Sequence, residues 1–173
     1  RLRLADYVGP VVRSAQEVLE AQGALRSSQG RCFLLDPPKE TRLELPEHER
    51  LRSYLALGER DGYSNRYICT HRKPWWHVGA KTPPIFATYM ARQPPAFAHN
   101  PQKLAIVNVL HGLYPRVFMD RQQLKNLVAY LNAHRDRLRG AGRTYHGGLE
   151  KFEPSEMEAF EIPLPADVLG GLV

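Results

Sequence analysis

Apolar positions recur with two periods along this chain, three to four residues apart in some stretches and two in others. From 121 to 139, "RQQLKNLVAYLNAHRDRLR", Leu124, Leu127, Val128, Leu131 and Leu138 make one stripe. Such a stripe predicts a helix packed on one side. Asp120 stands where a side-chain oxygen caps the first turn, and Gly140 stands where the helix ends. Shorter helices are predicted around it. Val11, Ala15, Val18, Leu19 and Leu25 have helical spacing, with Gly9-Pro10 delaying the start. A second helix is expected over 46–57, with Leu51, Tyr54 and Leu55 inward and Gly58 closing it. A last one, 154–160, begins at Pro154, with Ser155 and Glu158 as a capping box and Met157 and Phe160 inward.

The remaining apolar stretches read as strands. "RCFLL" (31–35) predicts a short buried strand ended by "DPPKE", and "NRYICT" (65–70) a strand leading into "THRKPWWHVGAKTPP". "PIFATYMAR" (84–92) and "PAFAHN" (95–100) alternate around Gln93-Pro94-Pro95, which predicts a hairpin. "KLAIVNVLHGLYPRVF" (103–118) is continuously apolar, so one or two buried strands are expected; 140–151 reads as a basic, glycine-rich loop. The fold class is α+β: a mixed or antiparallel sheet, the helix at 121–139 and shorter flanking helices, in one domain spanning 1–173 with an acidic tail (152–173) packed on it.

Charge sharpens this picture. Residues 1–62 carry ten Lys/Arg and ten Asp/Glu, whereas 63–151 carry fourteen against three, a net of +11. Residues 152–173 hold five acids and no Lys/Arg. A basic block with so little compensating acid points to a polyanion. No run approaches the roughly 18 apolar residues of a membrane span, and no signal peptide opens the chain, so a cytoplasmic location is expected. Cys32 and Cys69 lack C-x-x-C spacing and are expected as buried, reduced thiols. The chain opens on Arg1, not Met, which suggests a piece of a larger protein.

Candidate chemistry narrows quickly. The histidines have no Cys or acid partners at ligand spacing, so no metal site is expected. No nucleophile elbow or phosphate cradle is present, and no catalytic residue is assigned. "DPPK" (36–39) and "NPQK" (100–103) approach the Asn/Asp/Ser-Pro-Pro-aromatic motif of amino-group DNA methyltransferases. That motif needs a ring to stack on the extruded base, but Lys39 stands in its place, and Asn100-Pro101 is followed by Gln102. Both strings therefore read as turns.

In "THRKPWWHVGAKTPP", Pro74 stiffens the backbone, and one tryptophan is expected as a core plug with the other near Arg72 and Lys73. With its flanks, "YLALGERDGYSNRYICTHRKPWW" (54–76) resembles the C-terminal region of gamma-class N6-adenine DNA methyltransferases. So does "PPIFATYMARQPPAFAHNPQKLAIVNVLHGLYP", as does "GRTYHGGLEKFEPSEMEAFEIP" (142–163). These three ordered blocks cover roughly 54–163. The first fifty residues match poorly, although "GALRSSQGRCFLL" stands near the family's Gly/Thr-rich segment; His146 replaces a common glycine.

The resemblance implies a target-recognition domain of a restriction-modification enzyme. Its partners would be double-stranded DNA and an N-terminal methyltransferase domain of the same chain, which would bind S-adenosylmethionine; this piece would bind no cofactor and transfer no methyl group. Arg72, Lys73, Arg92, Gln93, Asn100, Gln102, Lys103, Arg143, His146 and Lys151 are the candidate DNA contacts. Pro74, Trp75 and Trp76 would anchor their loop to a sheet, and Gly147 and Gly148 would allow positive torsions or close approach. Arg143 and Lys151 are expected on the face that carries Arg72 and Lys73, with helix 154–160 turned away. Two rivals remain: the specificity domain of a fused restriction endonuclease-methyltransferase, and a stand-alone RNA- or single-strand-binding module. The latter would use aromatics such as Phe86, Tyr89 and Phe97.

Overall fold

Ile85, Phe86 and Ala87 are each fully buried, and the strand they form (β3, Ile85–Ala87) is the centre of the larger of two compact units. The computed structural model describes residues 3–25 and 32–163. One unit combines residues 1–11 with 32–80, the other 12–31 with 81–173. The architecture is α+β, as the periodicity predicts.

In the larger unit, β3 pairs antiparallel with β5 (Phe97–His99) and β7 (His111–Leu113). Alternation along β3 divides the core. Phe86 enters a cluster with Val12, Val18, Leu25, Leu104 and Leu110. Ile85 and Ala87 meet Val128, Leu138 and Phe152 on the other side. The helix that supplies Val128 is α4 (Arg121–His134), continued by a 3-10 turn to Leu138. Asp120 caps it as predicted: its Oδ1 accepts Gln123 N at 2.8 Å, and Gln123 Oε1 accepts Asp120 N at 2.8 Å. His99 is buried, and its Nδ1 has no hydrogen-bond partner among the described residues. Burial, with Arg121 and Lys125 nearby, pulls its pKa below the ordinary histidine value.

Several local predictions give way here. Val11 belongs to a strand, β1 (Val8–Val12), and the first helix, α1 (Ala15–Glu20), begins only after Ser14. The 84–92 strand breaks at Thr88, whose Oγ1 accepts Ala96 N at 2.9 Å. Its far end becomes β4 (Met90–Ala91), which joins another sheet. The 103–118 stretch holds two short strands, β6 (Ala105–Ile106) and β7, and is not buried throughout: Phe118 is 86% exposed. Residues 140–151 form a hairpin, β8 (Arg143–Tyr145) and β9 (Leu149–Lys151), because Gly147 and Gly148 both take left-handed torsions (φ 77 and 74). The final helix, α5 (Pro154–Glu158), is capped two residues earlier than predicted, by Glu153 with Glu156 where Ser155 with Glu158 is expected. Pro154 fills the first helical position, so Glu153 is the cap residue and Glu156 Oε2 accepts its N–H at 2.8 Å. Met157 and Phe160 pack on the Val128 cluster.

In the smaller unit, β1 pairs antiparallel with β2 (Cys32–Leu35) in the register Val8↔Leu35, Val11↔Cys32. β2 is half-exposed where a buried strand is predicted, with Phe33 turned to water. Arg31, its predicted first residue, and the "RSSQG" before it lie outside the described residues. Helix α2 (Glu49–Arg60) buries Leu51 and Leu55, but Tyr54 is half-exposed. Leu51, Leu55 and Gly58 follow i, i+4, i+7 spacing, and Tyr54 falls at that face's border. Gly58 lies inside the helix and does not close it; the chain turns at Asp61 and at Gly62, which has φ 76. Residues 65–70 are not a strand. A 3-10 turn (Tyr63–Asn65) leads into α3 (Tyr67–Thr70), where Tyr67 and Ile68 face solvent, so a strand would have nothing to be buried against. Both cysteines are free and half-buried.

Candidate nucleic-acid interface

The hairpin of the larger unit builds a ribbon from candidates far apart in sequence. β9 pairs with β8 (Arg143↔Lys151, Tyr145↔Leu149) and with β4 (Met90↔Lys151). With side chains alternating, Met90, Arg143, Tyr145, Leu149 and Lys151 share one face. Tyr145 and Met90 are nearly half-exposed. Just past β4, Arg92 Nε donates to Gly147 O at 3.2 Å, tying the turn to that strand's end. His146 and both glycines are exposed at the tip. Gly142 is a requirement that charge and motif counting miss: a Cβ there would lie 2.7 Å from Lys151 O.

The ribbon's cations have acid neighbours. Lys151 Nζ lies 2.7 Å from a Glu153 carboxylate oxygen, and Arg143 Nε 3.8 Å from Glu156. The bond to Glu153 raises the Lys151 pKa, and the same bond holds Glu153 below its ordinary value. The α5 helix is thus not turned away from the basic hairpin, because its capping acids reach back to it. Exposed pairs of this kind hold weakly and exchange readily for another anion.

Three other candidates stand on the Asn100 turn. Asn100 is only 4% exposed. Its Nδ2 donates to Pro83 O (2.8 Å) and Leu104 O (2.9 Å), and its Oδ1 accepts Leu104 N (2.9 Å). That side chain holds the turn together and leaves nothing to offer a base edge. Gln102 and Lys103 are exposed, Lys103 with φ 52. Gln93 is exposed beside Arg92.

In the smaller unit, the tryptophan loop is tied down by a carboxylate. Asp36 Oδ1 accepts Val78 N (2.8 Å) and Gly79 N (3.0 Å), while Oδ2 accepts Ala80 N (2.7 Å). His77 Nδ1 lies 3.3 Å from Asp36 and 3.0 Å from Pro37 O. Partial burial pushes the Asp36 pKa up, but the three N–H donors and His77 outweigh it, so the net shift is down. Its oxygens are committed to the backbone, so "DPPK" is a structural turn with no acceptor free for a target amine.

Trp75 donates Nε1–H to Glu59 Oε1 at 3.0 Å, and its ring covers Gly58, where a Cβ would approach to 2.9 Å. It therefore leans on helix α2, not on a sheet. Trp76 meets His77 edge-on, with centroids 6.5 Å apart. Both rings, and Pro74 before them, are half-buried. Arg72 is half-exposed and Lys73 exposed. Arg72 and Lys73 belong to one unit, and Arg143 and Lys151 to the other.

Comparison with known proteins supplies the context for these two basic surfaces. Residues 9–170 match the family described as "Type II methyltransferase M.Eco57I, C-terminal domain". The type II methyltransferase M.XamI of Xanthomonas campestris pv. amaranthicola is 39% identical over 156 residues, covering 89% of this chain and 29% of the relative. The type II methyltransferase M.AccI of Acinetobacter calcoaceticus is 23% identical over 137 residues, covering 77% of this chain and 24% of the relative. The chain thus spans less than a third of the length of the curated relatives it matches. No solved structure matches it.

Proposed function

Because this chain belongs to the family of the type II methyltransferase M.Eco57I C-terminal domain, a part of restriction-modification methyltransferases, we propose that it recognises double-stranded DNA for an adenine-N6-specific enzyme. The observation that carries the reading is the β4–β9–β8 ribbon, which sets Arg143 opposite Lys151 at its open end and brings Arg92 and His146 to its glycine turn. Only the β8–β9 turn projects as two strands beyond the short β4, and Arg and Lys read guanine edges in the major groove. The α5 acids occupy the cations until phosphates replace them. Arg72 and Lys73 on the tryptophan loop supply further phosphate or base contacts, joined by Gln93, Gln102 and Lys103. S-adenosylmethionine and the transfer step belong to a separate methyltransferase part of the parent protein. This agrees with the commitment of the Asp36 carboxylate to the backbone N–H groups of residues 78–80.

The test is the salt dependence of duplex binding by this chain. Affinity is expected on the order of 10⁻⁴ to 10⁻⁶ M near physiological salt, falling steeply as salt rises. The triple variant Arg92→Ala/Arg143→Ala/Lys151→Ala should bind more weakly and lower the salt slope. An affinity that ignores salt, or a triple variant that binds like the parent, refutes the ribbon as a DNA surface.

A further inference from the structure

We propose that the segment from Tyr63 to Lys73 is a stacking surface for unpaired nucleobases, an inference that rests on the DNA-binding reading. Each of its two tyrosines has one ring face backed by a basic side chain. The Arg66 guanidinium lies 4.2 Å from the Tyr63 centroid. The His71 ring lies 4.4 Å from that of Tyr67, with the planes 48° apart. Both rings still face solvent, Tyr63 at 46% and Tyr67 at 79% exposure. These two rings and Ile68 (57%) are all left exposed within one short segment of the smaller unit.

The backbone that carries the rings, and the His71 ring behind Tyr67, are held in place. Thr70 Oγ1 donates to Tyr67 O at 2.8 Å, and His71 Nδ1 donates to the same carbonyl at 2.6 Å. Cys69 N donates to Arg66 O at 2.8 Å. Arg66, Arg72 and Lys73 lie within residues 62–80, a stretch without a single Asp or Glu. Aromatic rings interleaved with uncompensated cations match the chemistry of exposed bases on a phosphate backbone. A protein partner would favour aliphatic cover and some acidic pairing, and only Ile68 offers the former here. An enzyme that modifies a base must take it out of the helix, which leaves unstacked bases at the site. None of Tyr63, Arg66, Tyr67 and His71 belongs to the ribbon.

The experiment compares this chain's binding, by fluorescence anisotropy, to a fully paired duplex and to the same duplex carrying one unpaired adenine. The parent should prefer the unpaired site. Tyr67→Ala should lose that preference, weakening binding to it by roughly 5- to 100-fold while leaving the paired duplex and the melting temperature unchanged. Tyr67→Phe should restore it, since the ring alone stacks. If Tyr67→Ala binds both duplexes like the parent, or loses both equally, the stacking surface is refuted. A Tyr67→Ala/Ile68→Ala variant that alters self-association but not DNA binding makes the patch a protein-docking face, and refutes it too. A parent that binds neither duplex refutes the DNA reading itself, a result distinct from the other two.

Discussion

The tryptophan loop and the glycine hairpin are both basic, both punctuated by turn residues, and held together by opposite means. In the loop an acid from a distant turn, Asp36, accepts the backbone N–H groups of 78–80, and the nearby cations Arg72 and Lys73 form no ion pair among the described residues. In the hairpin a strand ladder holds the backbone, and the acids of the next helix pair with Arg143 and Lys151. A carboxylate that accepts three backbone N–H groups is a structural clasp; one that pairs with a single side-chain cation at the surface is exchangeable. The same residue types thus give a rigid clasp in one place and a displaceable counter-ion in the other.

The strongest challenge to this contrast is Asp36→Ala. It leaves three N–H groups without an acceptor and should cost about 3 kcal/mol or more in urea unfolding. A loss under about 1 kcal/mol would mean that water replaces the carboxylate and that the clasp is not structural. The depressed pKa sets the sign with pH. The Asp36 contribution is complete above the unfolded value, about 3.9, and is lost as pH falls through the lower folded value.

Trp75→Ala should come next, at about 2–3 kcal/mol, less than the 3–5 typical of a fully buried ring. Trp76→Ala should cost less, since the bond to Glu59 is made by Trp75. Equal losses in guanidinium unfolding would show that both rings anchor the loop.

A pH effect of intermediate size should come from His99. Its folded pKa is lowered, so between that value and the unfolded one, about 6.5, the unfolded chain binds more protons. Stability is therefore full above about pH 6.5 and falls as the solution is acidified below it. Melting curves from pH 7.5 to 5 should show this decline, and His99→Gln should flatten it.

The smallest change in stability, and the most informative for binding, is expected of Glu153→Gln combined with Glu156→Gln. The melting temperature should stay nearly constant, while duplex affinity rises and the salt slope steepens by up to about one unit per released cation. Weaker DNA binding in this variant would show that the acids position Lys151 and Arg143, and the contrast with Asp36 would collapse.

Features that depend on neighbours in the chain are legible in the sequence itself. The Asp120 cap, the α4 stripe, the positive torsions open to Gly147-Gly148 and the excess of cations over 63–151 are all local in this sense. A cap or stripe is settled within one or two turns of backbone, and net charge does not depend on folding. What tertiary structure alone decided was where shared residue types point. Asp36 meets residues some forty positions on, Trp75 meets Gly58 and Glu59, and Arg92 meets Gly147 across 55 positions. Asn100 looked like a base-reading amide and is a buried turn brace; Tyr67 looked like part of a strand and faces solvent. No short-range pattern distinguishes an amide satisfied by its own backbone from one left free. That difference arises only when distant segments close over a group and exclude water from it.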